Sequence, residues 1–171
     1  MILAIDPGNI ESGYVVLSEK DLKPLDKGKV GNEILLDNIS MDRFQRLDNY
    51  ENINHVAIEM IASYGMPVGA EVFDTCVWIG RFMGELEGKG LNPKYIFRKD
   101  EKLNLCQSMK ANDATIKQAL VDRFAKGEKN YGKGTKKEPG FFYGFKADIW
   151  AAMAVGVTYY DIYIKPNVEK Y

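Results

Sequence analysis

The chain has 171 residues, 46% hydrophobic and 27% charged, the proportions of an ordinary globular protein with a sizeable core, read as one domain over residues 1–171. No run approaches the roughly 18 apolar residues of a membrane span and no signal-peptide pattern opens the chain, so a cytoplasmic protein without a membrane partner is expected. A single histidine, His55, and two isolated cysteines, Cys76 and Cys106, exclude a histidine-rich catalytic centre, a zinc cluster and a disulfide framework.

The net charge of −1 conceals a division along the chain. Residues 1–88 carry 7 basic and 15 acidic side chains, residues 89–137 carry 13 and 5, and residues 138–171 carry 3 and 4. Such asymmetry suits one basic face for a polyanion, or solvated lysines alone.

In chain order, Ile2–Ile5 is a short apolar strand, followed by the turn Asp6-Pro-Gly-Asn and a second strand at Gly13–Ser18. A third strand is predicted near Lys27–Gly31. Asn32 is placed to cap a helix in which Ile34, Leu35, Ile39, Met41 and Phe44 recur at near-helical spacing. His55–Glu59 is a fourth strand, followed by the loop 63–69. The clearest helix covers residues 70–87, with an apolar stripe wide enough to cover a sheet and also meet a second subunit. Lys94–Phe97 is a fifth strand and Ala111–Ala125 an amphipathic helix. Residues 127–144, rich in glycine and lysine, read as a loop. Ala147–Tyr160 returns to helix, its small residues suited to close packing on a sheet. Three strands in succession followed by alternating units imply an α/β fold: a mixed five-stranded sheet, antiparallel then parallel, flanked by helices.

Three acids stand out. Asp6 ends the first strand, Glu59 ends the fourth and Asp148 opens the last helix. Carboxylates on neighbouring strand ends, with one from a helix, are what a hard divalent cation requires. Each also has a plainer explanation. Asp6 suits a turn, Glu59 a helix cap or lysine pair, and Asp148 a favourable helix first turn.

The run Asp6-Pro-Gly-Asn-x-x-Ser-Gly13 resembles the RuvC family of Holliday-junction nucleases. Val56-Ala-Ile-Glu59, Thr75–Gly80, Ala114-Thr-Ile-Lys-Gln118 and Gly134–Gly144 leading into Ala147-Asp-Ile-Trp-Ala-Ala152 extend the likeness in the same order, the last two segments resembling the phage-encoded branch. The resemblance implies an RNase H-like fold. It also implies a Mg²⁺-dependent endodeoxyribonuclease with two ions per site, Mn²⁺ as an alternative ion, and metal-assisted hydrolysis of branched DNA. Asp6 would bridge the ions, with Glu59 and Asp148 holding one each and Lys117 beside the scissile phosphate. One position departs from the family: a fourth ligand often stands three residues before the last acid, and here that residue is Phe145.

DNA contact is expected from Lys110, Lys117, Lys133, Lys136 and Lys137, and from Tyr64, whose loop holds a stacking aromatic in related nucleases. A homodimer through the helix 70–87 suits the near-twofold symmetry of a four-way junction. Four-way junctions are therefore the expected partner, and a bacterial host's cytoplasm the setting if the chain is phage-encoded. Three alternatives remain open: another RNase H-like nuclease or recombinase, a nucleotide-binding domain of the actin and sugar-kinase type, and a non-catalytic branched-DNA-binding protein.

Overall fold

The structure is a computed structural model that describes residues 1–46, 52–63, 65 and 67–168. Five strands make one sheet in the order β3-β2-β1-β4-β5: β1 (Ile2–Asp6), β2 (Glu11–Leu17), β3 (Pro24–Gly31), β4 (His55–Met60) and β5 (Lys94–Phe97). The first three run antiparallel, whereas β4 lies parallel to β1 and β5 parallel to β4. The expected mixed sheet is therefore present, with strand ends within a few residues of their predicted positions.

Alternation along β1 divides the core between the two faces of the sheet. Leu3 and Ile5 join Val16 and Ile58 beneath α1 (Asn32–Ser40) and α2 (Ala70–Gly88), which bury Leu35, Ile39, Ile79, Phe82 and Leu86. Ile2 and Ala4 face the opposite way, into a core shared with α4 (Asp113–Phe124) and α5 (Ala147–Tyr159). The small residues of α5 let it press on the sheet. A Cβ on Gly156 would stand 2.7 Å from the Leu17 side chain and 3.0 Å from Ala4 Cβ, so the absence of a side chain eases this close crossing.

Three elements differ from expectation. The first helix ends at Ser40, and Phe44 lies beyond it in a short 3₁₀ turn, Arg43–Arg46. Arg98–Cys106 forms a further helix, α3, directly after β5. Its polar sequence carries no apolar stripe by which to predict it. The last helix also continues past its expected end, through a wider π turn at Tyr160–Ile164 into α6 (Lys165–Val168).

Asn32 does not cap α1. It is the buried first residue of that helix, and its side chain ties the β1–β2 turn together. Ser12 Oγ donates to Asn32 Oδ1 at 2.6 Å, Asn32 Nδ2 donates to the Gly8 carbonyl at 2.9 Å, and the Gly8 N–H donates to Ser12 Oγ at 3.3 Å. This network explains the pattern Gly8-Asn-x-x-Ser12: it fixes the turn that leaves β1 immediately after Asp6.

Residues 127–144 are an ordered, glycine-shaped loop. Gly134 and Pro139 form a short antiparallel bridge, and Phe142 is fully buried against Phe145 and Trp150. Phe141 stacks on Phe124 with ring centres 4.9 Å apart. Its aromatics are thus the anchor that lays this loop against α4 and α5.

Candidate active site

The sheet register brings the first two acids together. Ile5 of β1 pairs with Ile58 of β4 in parallel, so Asp6 and Glu59 end neighbouring strands side by side. Asp6 shares the face of Ile2 and Ala4, and Glu59 that of Ala57, both on the α5 side. The carboxyl ends of parallel strands are where α/β sheets bind their ligands. Asp148 arrives from above in the first turn of α5. Its approach depends on Gly13, where an added Cβ would stand 2.5 Å from the Asp148 carbonyl oxygen.

All three acids line one cleft of about 590 Å³, together with Arg98, Asp113, Lys117, Lys133, Lys146 and Trp150. Burial pushes the Asp6 carboxyl well above the ordinary carboxylate range. The adjacent Glu59 raises it further by its charge and by a hydrogen bond, and Asp148 and Glu101 add to the effect. Asp148 Oδ2 meets Lys29 Nζ at 2.7 Å, and the same ammonium lies 3.3 Å from Glu11 Oε2. Among the described residues, no three acidic, histidine or cysteine side chains are drawn closely enough to grip a cation as they stand.

Sequence reasoning missed Glu101. This α3 residue is fully buried, and Arg98 Nη1 donates to its Oε2 at 2.5 Å. Arg98 also pairs with Asp113 in the first turn of α4, tying α3 to α4 at the cleft wall. Burial raises the Glu101 carboxyl, the Glu59 charge raises it further, and Arg98 opposes both. Glu101 Oε1 is buried without a hydrogen-bond partner. An arginine three residues before a glutamate on a helix was the one available signal.

The donors fit a hard divalent ion. Each is a carboxylate oxygen, and a cation would favour the ionised form of Asp6, which burial first and the neighbouring acids second disfavour. Phe145 contributes nothing to this set. Its ring is buried, packed 5.1 Å from Phe142 and 5.0 Å from Trp150 between ring centres.

Three solved structures share the architecture. Thermus thermophilus RuvC in complex with a Holliday junction substrate superposes with a TM-score of 0.62 at 15% identity, covering 94% of this chain and 93% of that one. A second Thermus thermophilus RuvC structure gives 0.61 at 17% identity, covering 94% of each chain. The Fowlpox virus resolvase in complex with its Holliday junction substrate gives 0.54 at 13%, covering 94% of this chain and 99% of that one. The chain has the RuvC fold. No protein-family model and no curated protein sequence matches it.

On this RuvC fold the predicted basic residues separate into groups. Lys117 and Lys133 line the cleft with the acids. Lys117 Nζ lies 3.6 Å from the Tyr131 ring centre and 5.2 Å from that of Trp150, a cation–π seat that fixes its ammonium. Tyr131 adopts a left-handed backbone with φ of 56°, a conformation that costs energy for a residue with a side chain. Lys136 and Lys137 are exposed on the bridged loop, whereas Lys110 lines a separate pocket beside Ser108 and Thr115. Tyr64 lies outside the described residues. His55 opens β4 at the end remote from Glu59, its Nδ1 3.1 Å from the Tyr159 hydroxyl. Along α2, Phe73 and Val77 are 62% and 61% exposed, so part of the predicted stripe faces outward. No helix among the described residues is long and apolar enough to cross a membrane.

Proposed function

We propose that the protein is a Mg²⁺-dependent endodeoxyribonuclease that cuts branched DNA, four-way junctions above all. One observation carries the reading: Asp6 and Glu59 stand paired at the ends of parallel strands β1 and β4, in one cleft with Asp148 and a basic wall. The architecture shared with two resolvases solved on Holliday junctions supports the substrate. The segment Gly134–Gly144 supports the phage-encoded branch, for which the host cytoplasm is the place of action.

Asp6, Glu59 and Asp148 would hold the cations, Mg²⁺ or alternatively Mn²⁺, with two per site in the full assembly. When bound, the ions would supply an activated water and electrostatic stabilisation of the phosphate charge. The protein does the positioning. Asp6, which lies between the other two acids along the sheet, would help to hold both ions. Lys117, fixed on Tyr131 and Trp150, places a cation where the transferring phosphate gains charge. Lys133 aligns the strand at the cleft, while Lys136, Lys137 and Lys110 hold flanking phosphates.

A homodimer through α2, with Phe73 and Val77 buried in the interface, would present two equivalent clefts to a twofold substrate. Two measurements test the proposal. A panel of labelled four-way junction, flap, RNA–DNA hybrid and linear duplex should show preferential, paired, Mg²⁺-dependent nicks in the junction. Preferential cutting of the hybrid would instead assign the cleft to another RNase H-like activity. Light scattering should give twice the chain mass, and Phe73→Asp should give a folded monomer; a monomeric wild type would refute the dimer.

A further inference from the structure

A row of residues crosses the sheet beneath the start of α5. Gly13 pairs with Asp6 on one side and with Lys29 of β3 on the other, and Glu59 continues the row beyond Asp6. The row reads cation, gap, acid, acid. Asp148 sits over the gap, because Gly13 has no side chain to exclude it. From that position its carboxylate meets the Lys29 ammonium at 2.7 Å, whereas Asp6 and Glu59 turn toward one another. Lys29 has a second carboxylate partner, Glu11, at 3.3 Å. Losing Asp148 would therefore leave the ammonium paired and, being about half exposed, still hydrated.

We propose that Lys29 is a positioning residue that competes with the divalent ion for Asp148. Through this pair it sets the concentration at which the acid site fills before DNA binds. The inference rests on the metal-binding reading of Asp6, Glu59 and Asp148. Its physical basis is simple: an ammonium at 2.7 Å already neutralises the carboxylate, so an incoming cation must displace it and approach a like charge. Glu11 lowers the cost of that displacement by keeping Lys29 paired.

Calorimetric titration of Mn²⁺ into DNA-free protein tests this without reference to cleavage. Lys29→Gln, with Lys29→Met as a second variant against loss of folding, should bind Mn²⁺ about two- to fivefold more tightly than wild type, the range expected of a half-exposed ion pair. In an Asp148→Asn background the same Lys29 substitution should change the affinity little, because the pair is already broken. Unchanged or weaker binding in both Lys29 variants overturns the inference. So does an equal gain with and without Asp148, which would make Lys29 a distant charge rather than a competitor. Junction cleavage that needs Asp6, with Mn²⁺ affinity indifferent to Lys29, defeats this inference alone. No Mn²⁺ binding by wild type together with no cleavage defeats the metal-binding reading itself.

Discussion

At the residue scale the site depends as much on an absent side chain as on its acids. Gly13 lets α5 reach the sheet, so Gly13→Ala should push Asp148 outward and cost about 1–3 kcal/mol as an overpacked contact. We expect junction cleavage to fall by more than the melting temperature alone explains; unimpaired cleavage would show that Asp148 need not sit so close. Asp6 carries a pH dependence. In metal-free protein its carboxyl is raised above its ordinary value of 3.8, so folded Asp6 keeps a proton that the unfolded chain releases. That contribution is complete below the ordinary value and is lost as pH rises toward the folded one. Metal-free protein should therefore melt lower at about pH 8 than at about pH 5, and Asp6→Asn should flatten the difference. A wild-type melting temperature that rises over this interval would contradict the raised Asp6 carboxyl and its burial beside the other acids. The three acids were legible because each ends or opens an element with a plain apolar pattern. Glu101 was not, because a buried carboxylate on a polar helix looks in sequence like any solvated one.

At the element scale, β1 to β5, α2, α4 and α5 were legible because hydrophobic period and turn residues agree over each of them. The helix α3 was hidden: Arg98-Lys-Asp-Glu-Lys102 has no apolar stripe, and its start is marked by the Phe97 N–H bonded to Asp100 and by the pairing of half-buried Arg98 with buried Glu101. The loop 127–144 was correctly read as irregular, yet its role as a support was not visible. Its buried Phe142 holds the loop down, and its left-handed Tyr131 seats Lys117. Tyr131→Ala should lower the cleavage rate by about fivefold, the effect of freeing a cation worth ~1 kcal/mol in its seat, while junction affinity changes little. A loss confined to affinity would place Lys117 in binding rather than in the chemical step.

At the scale of the whole molecule, a near-neutral chain concentrates positive charge in residues 89–137, and the fold places Lys117 and Lys133 of that segment at the cleft. Removing Lys133, Lys136 and Lys137 together should reduce the slope of log affinity against log salt by about three units. An unchanged slope would put the DNA path elsewhere. The acid ends of β1 and β4, the opening of α5 and two lysines of this basic segment converge on a polar mouth at the carboxyl end of the parallel strands.

The most direct test of the central claim is cleavage of a labelled four-way junction by wild type, Asp6→Asn and Glu59→Gln, each with Mg²⁺ and with EDTA. The account predicts cleavage by wild type with Mg²⁺ alone, and junction binding without cleavage by both variants. Cleavage that survives Asp6→Asn, or that persists in EDTA, would contradict it.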